Sequence, residues 1–231
     1  MQDTRPDPDR ILHQIQQQEA DAAHVRGRLK IFFGYAAGVG KTYAMLEAAH
    51  AALAAGTGGL AGYIEPHTRP DTLALLEGLE QLPPLCVEYK NVTLREFDLD
   101  AAIARRPALL LVDELAHTNA EGCRHRKRCQ DIEELLALGI DVYTTVNVQH
   151  LESLNDIVAA VTGITVRERV PDSVFDNADQ VELVDIEPDD LLARLDRGKV
   201  YRPLQARRAM DHFFTRENLV ALREIALRRT G

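Results

Sequence analysis

Short apolar runs of strand length alternate along the chain with longer segments whose apolar residues recur every three or four positions. Leu29–Phe33, Leu60–Ile64, Ala108–Val112, Ile140–Val146 and Val181–Ile186 read as strands, and Ile164–Val170 as a further one. Lys41–Ala55 carries Met45, Ala48, Ala49, Ala52 and Leu53 on one helical face, and Gly56 stops it. Helices are also predicted over Asp71–Gly78 behind Pro70, Ala101–Arg105, Gln130–Leu138 before Gly139, His150–Val161 and Asp189–Asp196. Cys86–Asp98 reads as a short strand pair. Residues 203–229 read as one or two helices broken near Thr215, an N-cap residue. A mostly polar helix is predicted over 9–25. Strands that alternate with helices imply an α/β fold with a mostly parallel sheet and helices on both faces.

What joins the first strand to the first helix turns this pattern toward chemistry. The joint is Gly34-Tyr35-Ala36-Ala37-Gly38-Val39-Gly40-Lys41-Thr42. A strand, a glycine-rich loop and Gly-Lys-Thr opening a helix form the layout of a phosphate-binding loop. Glycines let backbone N–H groups close around phosphate oxygens, and a helix start adds unpaired N–H groups and the positive end of its dipole. Lys41 would reach the β- and γ-phosphates, and Thr42 would hold Mg²⁺. Gly34, Gly38, Val39, Gly40, Lys41 and Thr42 are therefore the expected nucleotide-binding residues. The consensus puts its first glycine where Tyr35 stands; Gly34 lies one residue earlier. An ordinary βα turn rich in small residues is the bland alternative, and Gly-x-Gly-Lys-Thr in this setting argues against it.

A second motif supports the first. The apolar strand at 108–112 ends in Asp113-Glu114, the Walker B form. Asp113 is expected to hold Mg²⁺, and Glu114 to orient or deprotonate an attacking water. Ligands of such sheets bind at the carboxyl ends of strands, so the two motifs can converge. The fold expected is thus a P-loop NTPase-type sheet. It divides into a polar arm over 1–25, a nucleotide-binding core over 26–186 and a C-terminal helical extension of the same domain over 187–231. Other strand ends carry Glu65, Arg69, Asn147 and Gln149. Each could face the γ-phosphate, the attacking water or a second substrate, or simply cap a surface loop. The basic loop 120–128 could bring Arg124, Lys127 or Arg128 to a phosphate, with the loop from His117 to Arg128 as the candidate switch, or be a solvated helix start. His117, Cys123, His125 and Cys129 invite a zinc reading, but their spacing does not match paired ligands.

Charge and composition narrow the partners. A net charge of −9 over 231 residues argues against broad nucleic-acid or anionic-membrane binding. No apolar run approaches the ~18 residues of a membrane span, and the N-terminus lacks a signal-peptide core. Three cysteines suggest no disulfide framework. Together these fit the cytoplasm and exclude direct membrane insertion.

The chain resembles the N-terminal cytoplasmic domain of the KdpD osmosensitive potassium-channel sensor histidine kinase family. The resemblance rests on Gly-Arg-Leu-Lys-Ile-Phe-Phe-Gly at 27–34, Gly-Val-Gly-Lys-Thr at 38–42, Asp-Glu-Leu-Ala-His-Thr-Asn at 113–119 and the long run at 140–156. It implies an ATP- and Mg²⁺-binding regulatory domain of a potassium- or turgor-sensing two-component system, with at most slow ATP hydrolysis. Its implied partners are other sensor-kinase domains or a partner signalling protein, with a second copy of the chain as another. The sequence shows no transmembrane segment and no histidine kinase core, so the expectation is an excised domain or a free-standing short form. The competing expectation is a stand-alone P-loop NTPase or small-molecule kinase.

Overall fold

The computed structural model describes residues 26–65, 70–197 and 212–231. The helix expected at 9–25, Arg69 and the first part of 203–229 lie outside them. In chain order the strands are β1 (Leu29–Gly34), β2 (Gly59–Tyr63), β3 (Glu80–Gln81), β4 (Leu85–Tyr89), β5 (Val92–Glu96), β6 (Leu109–Val112), β7 (Asp141–Asn147) and β8 (Gln180–Leu183). The helices are α1 (Lys41–Ala54), α2 (Pro70–Ala74), α3 (Leu99–Arg105), α4 (Arg128–Ala137), α5 (Asn155–Thr162), α6 (Asp172–Asp176), α7 (Pro188–Asp196) and α8 (Arg216–Thr230).

Six strands form one sheet in the order β3-β2-β6-β7-β1-β8. Every pairing within it is parallel. Side chains alternate across the pleat and divide the core into two layers. Phe32, Leu109 and Leu111 face α1, meeting Met45, Leu46 and Ala49. Ile31, Phe33, Leu110 and Val112 face the opposite layer, with Leu135 of α4, Val158 of α5, Leu191 of α7 and Leu222 of α8. The expected α/β class, a parallel sheet with helices on both faces consistent with a P-loop NTPase-like fold, is the one observed.

The C-terminal helix joins this second layer. Thr215 Oγ1 accepts from the Asn218 N–H at 3.3 Å and starts α8 where the sequence predicts a cap. Leu219, Leu222 and Ala226 are buried, and Arg223 ties α8 to Asp185 beyond β8.

Three predicted elements differ from the observed ones. Ile164–Val170 is not a strand; only Val170 pairs, in a parallel bridge with Leu151. The place beside β1 is taken by β8, and the backbone oxygens of 166 and 168 are used by Asn155 and His150 side chains. The helix predicted over His150–Val161 is two short 3-10 turns followed by α5, because Leu151 turns extended to make that bridge. The helix predicted over Asp71–Gly78 ends at Ala74 and continues as turns closed by i to i+3 bonds.

Candidate functional site

The β1–α1 loop owes its path to packing as much as to glycine. A Cβ on Gly34 would sit 2.7 Å from Val39 Cγ2 and 3.0 Å from Lys41 Cδ, so the loop folds back onto its own start. Gly38 and Gly40 adopt φ of 89° and 111°, the left-handed region that glycine enters freely. Tyr35, at the consensus glycine position, is fully buried, and its hydroxyl donates to the Ile186 carbonyl at 2.8 Å. The departure from consensus is thus an anchor beneath the loop. Gly40 caps α1 without a side chain and the first turn carries no acid, so the helix start presents bare N–H groups.

Lys41 is half-buried and its Nζ donates to the Ala36 carbonyl at 3.2 Å. Burial pulls its pKa down to about 8, against Asp113 and Glu114, which pull it up. Thr42 Oγ1 reaches Asp113 Oδ2 at 3.1 Å. This bond joins the loop to the end of β6. Asp113 itself is buried, and its carboxylate also accepts from the Thr145 hydroxyl and from the Glu65 and Glu114 N–H groups at 3.3 and 3.2 Å. Four donors on one carboxylate fix its orientation.

Glu114 sits at φ 62°, a conformation that a residue with a Cβ rarely takes and that clusters at functional sites. Its N–H is held by both Asp113 and Thr145 Oγ1, which explains the turn. Its side chain is half-exposed. Partial burial, then the nearby Glu65 and Asp113 carboxylates, raise its pKa against the Arg128 guanidinium.

The neighbouring strand end supplies two more groups. In the parallel register Asn147 lies opposite Gly34. Asn147 Oδ1 and Gln149 Oε1 are buried without a hydrogen-bond partner among the described residues. Buried orphans of this kind cost free energy unless a ligand or water satisfies them.

The basic loop is ordered rather than splayed toward the crevice. Thr118 bridges Lys127 in antiparallel fashion, and the Asn119 N–H donates to the Arg126 carbonyl at 3.0 Å. Arg124 pairs with Asp100 and Glu134, and Lys127 Nζ donates to Thr118 Oγ1 at 2.9 Å. Arg128 is 0% exposed. It donates to the Asp113 carbonyl at 3.0 Å and to Glu96 at 3.3 Å, with its guanidinium 4.2 Å from the Tyr63 ring centre. It lies behind Asp113 as part of the scaffold. Glu96 also accepts from His117 at 3.0 Å and from the Ala120 N–H at 2.9 Å.

Thr145 and Glu96 escaped the sequence reading. Nothing in the sequence singles out Thr145 from Thr144 beside it: both are buried, but only the Thr145 hydroxyl meets Asp113, and the Thr144 hydroxyl has no partner among the described residues. Nor does the sequence mark Glu96, whose role depends on the β4–β5 hairpin folding back. Among the described residues no three His, Cys, Asp or Glu side chains gather as a metal-binding group. The three cysteines are unpaired, with Cys129 buried and Cys86 exposed. No helix among the described residues is long and apolar enough to cross a membrane.

The residues present fit Mg²⁺ nucleotide chemistry. Mg²⁺ is commonly held by one carboxylate together with substrate phosphates and water, and the Thr42–Asp113 pair is a donor set of that kind.

Comparison with known proteins agrees with the family resemblance. Residues 25–231 match the family described as KdpD, osmosensitive K⁺ channel His kinase sensor domain. Sensor proteins KdpD of Clostridium acetobutylicum and of Escherichia coli are each 62% identical over 227 residues, covering 98% of this chain and 25% of theirs. The sensor protein KdpD of Mycobacterium tuberculosis is 51% identical over 202 residues, covering 87% of this chain and 24% of its own. The chain thus spans about a quarter of the length of these relatives.

Proposed function

The chain belongs to the KdpD family of osmosensitive K⁺ channel His kinase sensor domains, and on that premise we propose that it is an ATP-binding regulatory domain of a potassium- or turgor-sensing two-component system. The triphosphate lies in the loop Gly34–Thr42, received by backbone N–H groups and the start of α1. Lys41 turns from the Ala36 carbonyl to the β- and γ-phosphates. Thr42 and Asp113 hold Mg²⁺, which would offset phosphate charge when bound. Glu114 orients water for slow hydrolysis, and Asn147 and Gln149 complete the crevice wall.

The observation that carries this reading is the bond between Thr42 and Asp113. Two motifs distant in sequence converge there on one carboxylate held by four donors. The output is conformational. Asp113 and Glu114 lead straight into the loop that ends at α4, so a ligand acting on them acts on that loop. Other domains of a longer sensor kinase, or a signalling partner, read the change.

Calorimetric titration with ATP, with and without Mg²⁺, tests the site. Wild type should bind with a Mg²⁺-dependent gain, and Asp113→Asn should lose that gain. The same affinities in both proteins under both conditions would reject the assignment.

A further inference from the structure

Resting on the phosphate-loop reading, we infer that a cavity beside the start of α1 binds the nucleoside end of the nucleotide, through an aromatic ring stacked on Tyr43 and covered by Arg194. The cavity measures about 320 Å³ and is lined by Val39, Gly40, Tyr43, Asp71, Val184 and Arg194, among others. That volume lies at the lower end of the range for small-molecule pockets and suits a nucleobase with its sugar.

Position makes the cavity continuous with the loop. Val39 and Gly40 belong to both, so a ligand whose phosphates lie against the loop backbone reaches the cavity without a gap. Gly40 is also where Arg194 leans in: a Cβ there would meet Arg194 Nη1 at 3.9 Å and Val184 Cγ1 at 4.0 Å. Three distant segments therefore meet at this mouth: the start of α1, the end of β8 and the last turns of α7.

Lining chemistry separates the ring from the phosphates. Val39 and Val184 are apolar, and Asp71 would repel a phosphate, so the charged tail belongs on the loop side. Tyr43 is a large aromatic left 40% exposed one turn into α1. Arg194 forms no ion pair among the described residues, whereas Arg124, Arg216, Arg223 and Arg229 all do. A guanidinium plane and a phenol ring on one cleft suit a flat, electron-rich heterocycle. Asp71 can accept from an exocyclic amine of the base or from a ribose hydroxyl.

Calorimetry with two ligands tests this. Mg²⁺-ATP engages loop and cavity; Mg²⁺-tripolyphosphate engages the loop alone. Wild type should bind ATP more tightly than tripolyphosphate. Tyr43→Ala and Arg194→Ala should each weaken ATP about tenfold, the scale of one base–aromatic stack, and leave tripolyphosphate unchanged. Both side chains are at the surface of the cleft, and thermal melts matching wild type would confirm that the variants fold. Wild-type ATP affinity in both variants, or equal losses for the two ligands, overturns the cavity assignment while leaving the phosphate loop in place. A wild-type chain that binds neither ligand overturns the phosphate-loop reading, and the cavity assignment with it.

Discussion

Lys41 and Arg128 are both cations near Asp113, and the structure holds them in opposite ways. Arg128 is fully buried and committed to the fold: Glu96, the Asp113 carbonyl and the Tyr63 ring all receive its guanidinium, and only its Nε has no hydrogen-bond partner among the described residues. Lys41 is half-buried and donates to a single neutral carbonyl, with no ion pair among the described residues. The first arrangement directs the guanidinium's contacts to the fold. The second leaves a charge near carboxylates but uncommitted, which is what a ligand site requires. A basic residue near a phosphate loop is therefore not evidence of phosphate contact until its partners are known.

The sharpest way to break this comparison is to remove the counter-charge of Arg128. Glu96→Ala strands a buried guanidinium, with Glu114 Oε2 at 3.9 Å as its nearest other carboxylate. It should lower the free energy of unfolding by about 3–5 kcal/mol, read from urea denaturation. A loss under about 1 kcal/mol would show that the cluster behind Asp113 is not structural. The same carboxylate gives a pH signature. Burial alone would raise the Glu96 pKa, but its bonds to His117 and Ala120 and the charge of Arg128 hold it below its ordinary 4.5. A group whose pKa is depressed on folding adds stability above its unfolded pKa and loses it as pH falls through the folded one. Wild type should thus lose this increment below about pH 4.5, and the pH dependence in that window should flatten in Glu96→Ala.

Lys41→Ala is the counterpart at the second cation. It should weaken Mg²⁺-ATP by about 1–3 kcal/mol, the worth of a charge-assisted hydrogen bond, with little change in unfolding free energy. If it unfolds the chain as Glu96→Ala does, Lys41 belongs to the scaffold and the contrast fails.

The smallest effect is expected at Arg124, a third cation of the same region. Its pairs with Asp100 and Glu134 are solvent-exposed. Arg124→Ala should change stability by under about 1 kcal/mol and leave ATP affinity unchanged. A tenfold loss of affinity, measured by the same titration, would restore this loop as a phosphate contact.

Much of the fold and the centre of the site were legible in the sequence, for a local reason. Period-two and period-3.6 patterns, Gly56 and Gly139 as stops, and Thr215 as a cap depend on neighbours a few residues away. Gly34–Thr42 and Asp113-Glu114 are legible because their chemistry needs particular residue types at fixed spacing. The apparent strand at 164–170 shows the limit of such patterns. It has the alternation, but a strand also needs a free place in a sheet, and β8 holds the one beside β1.

What only the tertiary structure decided is which of several similar side chains does which task. Lys41, Arg124, Lys127 and Arg128 are alike as residues in a list; burial and partners separate them, and both are set by distant segments. Tyr35 looked like a defect in the phosphate-loop consensus until Ile186, far along the chain, received its hydroxyl. Motif spacing is a property of the local backbone and is written in the sequence. The commitment of a charge depends on the dielectric and the donors around it, and those exist only once the sheet has brought its strand ends together.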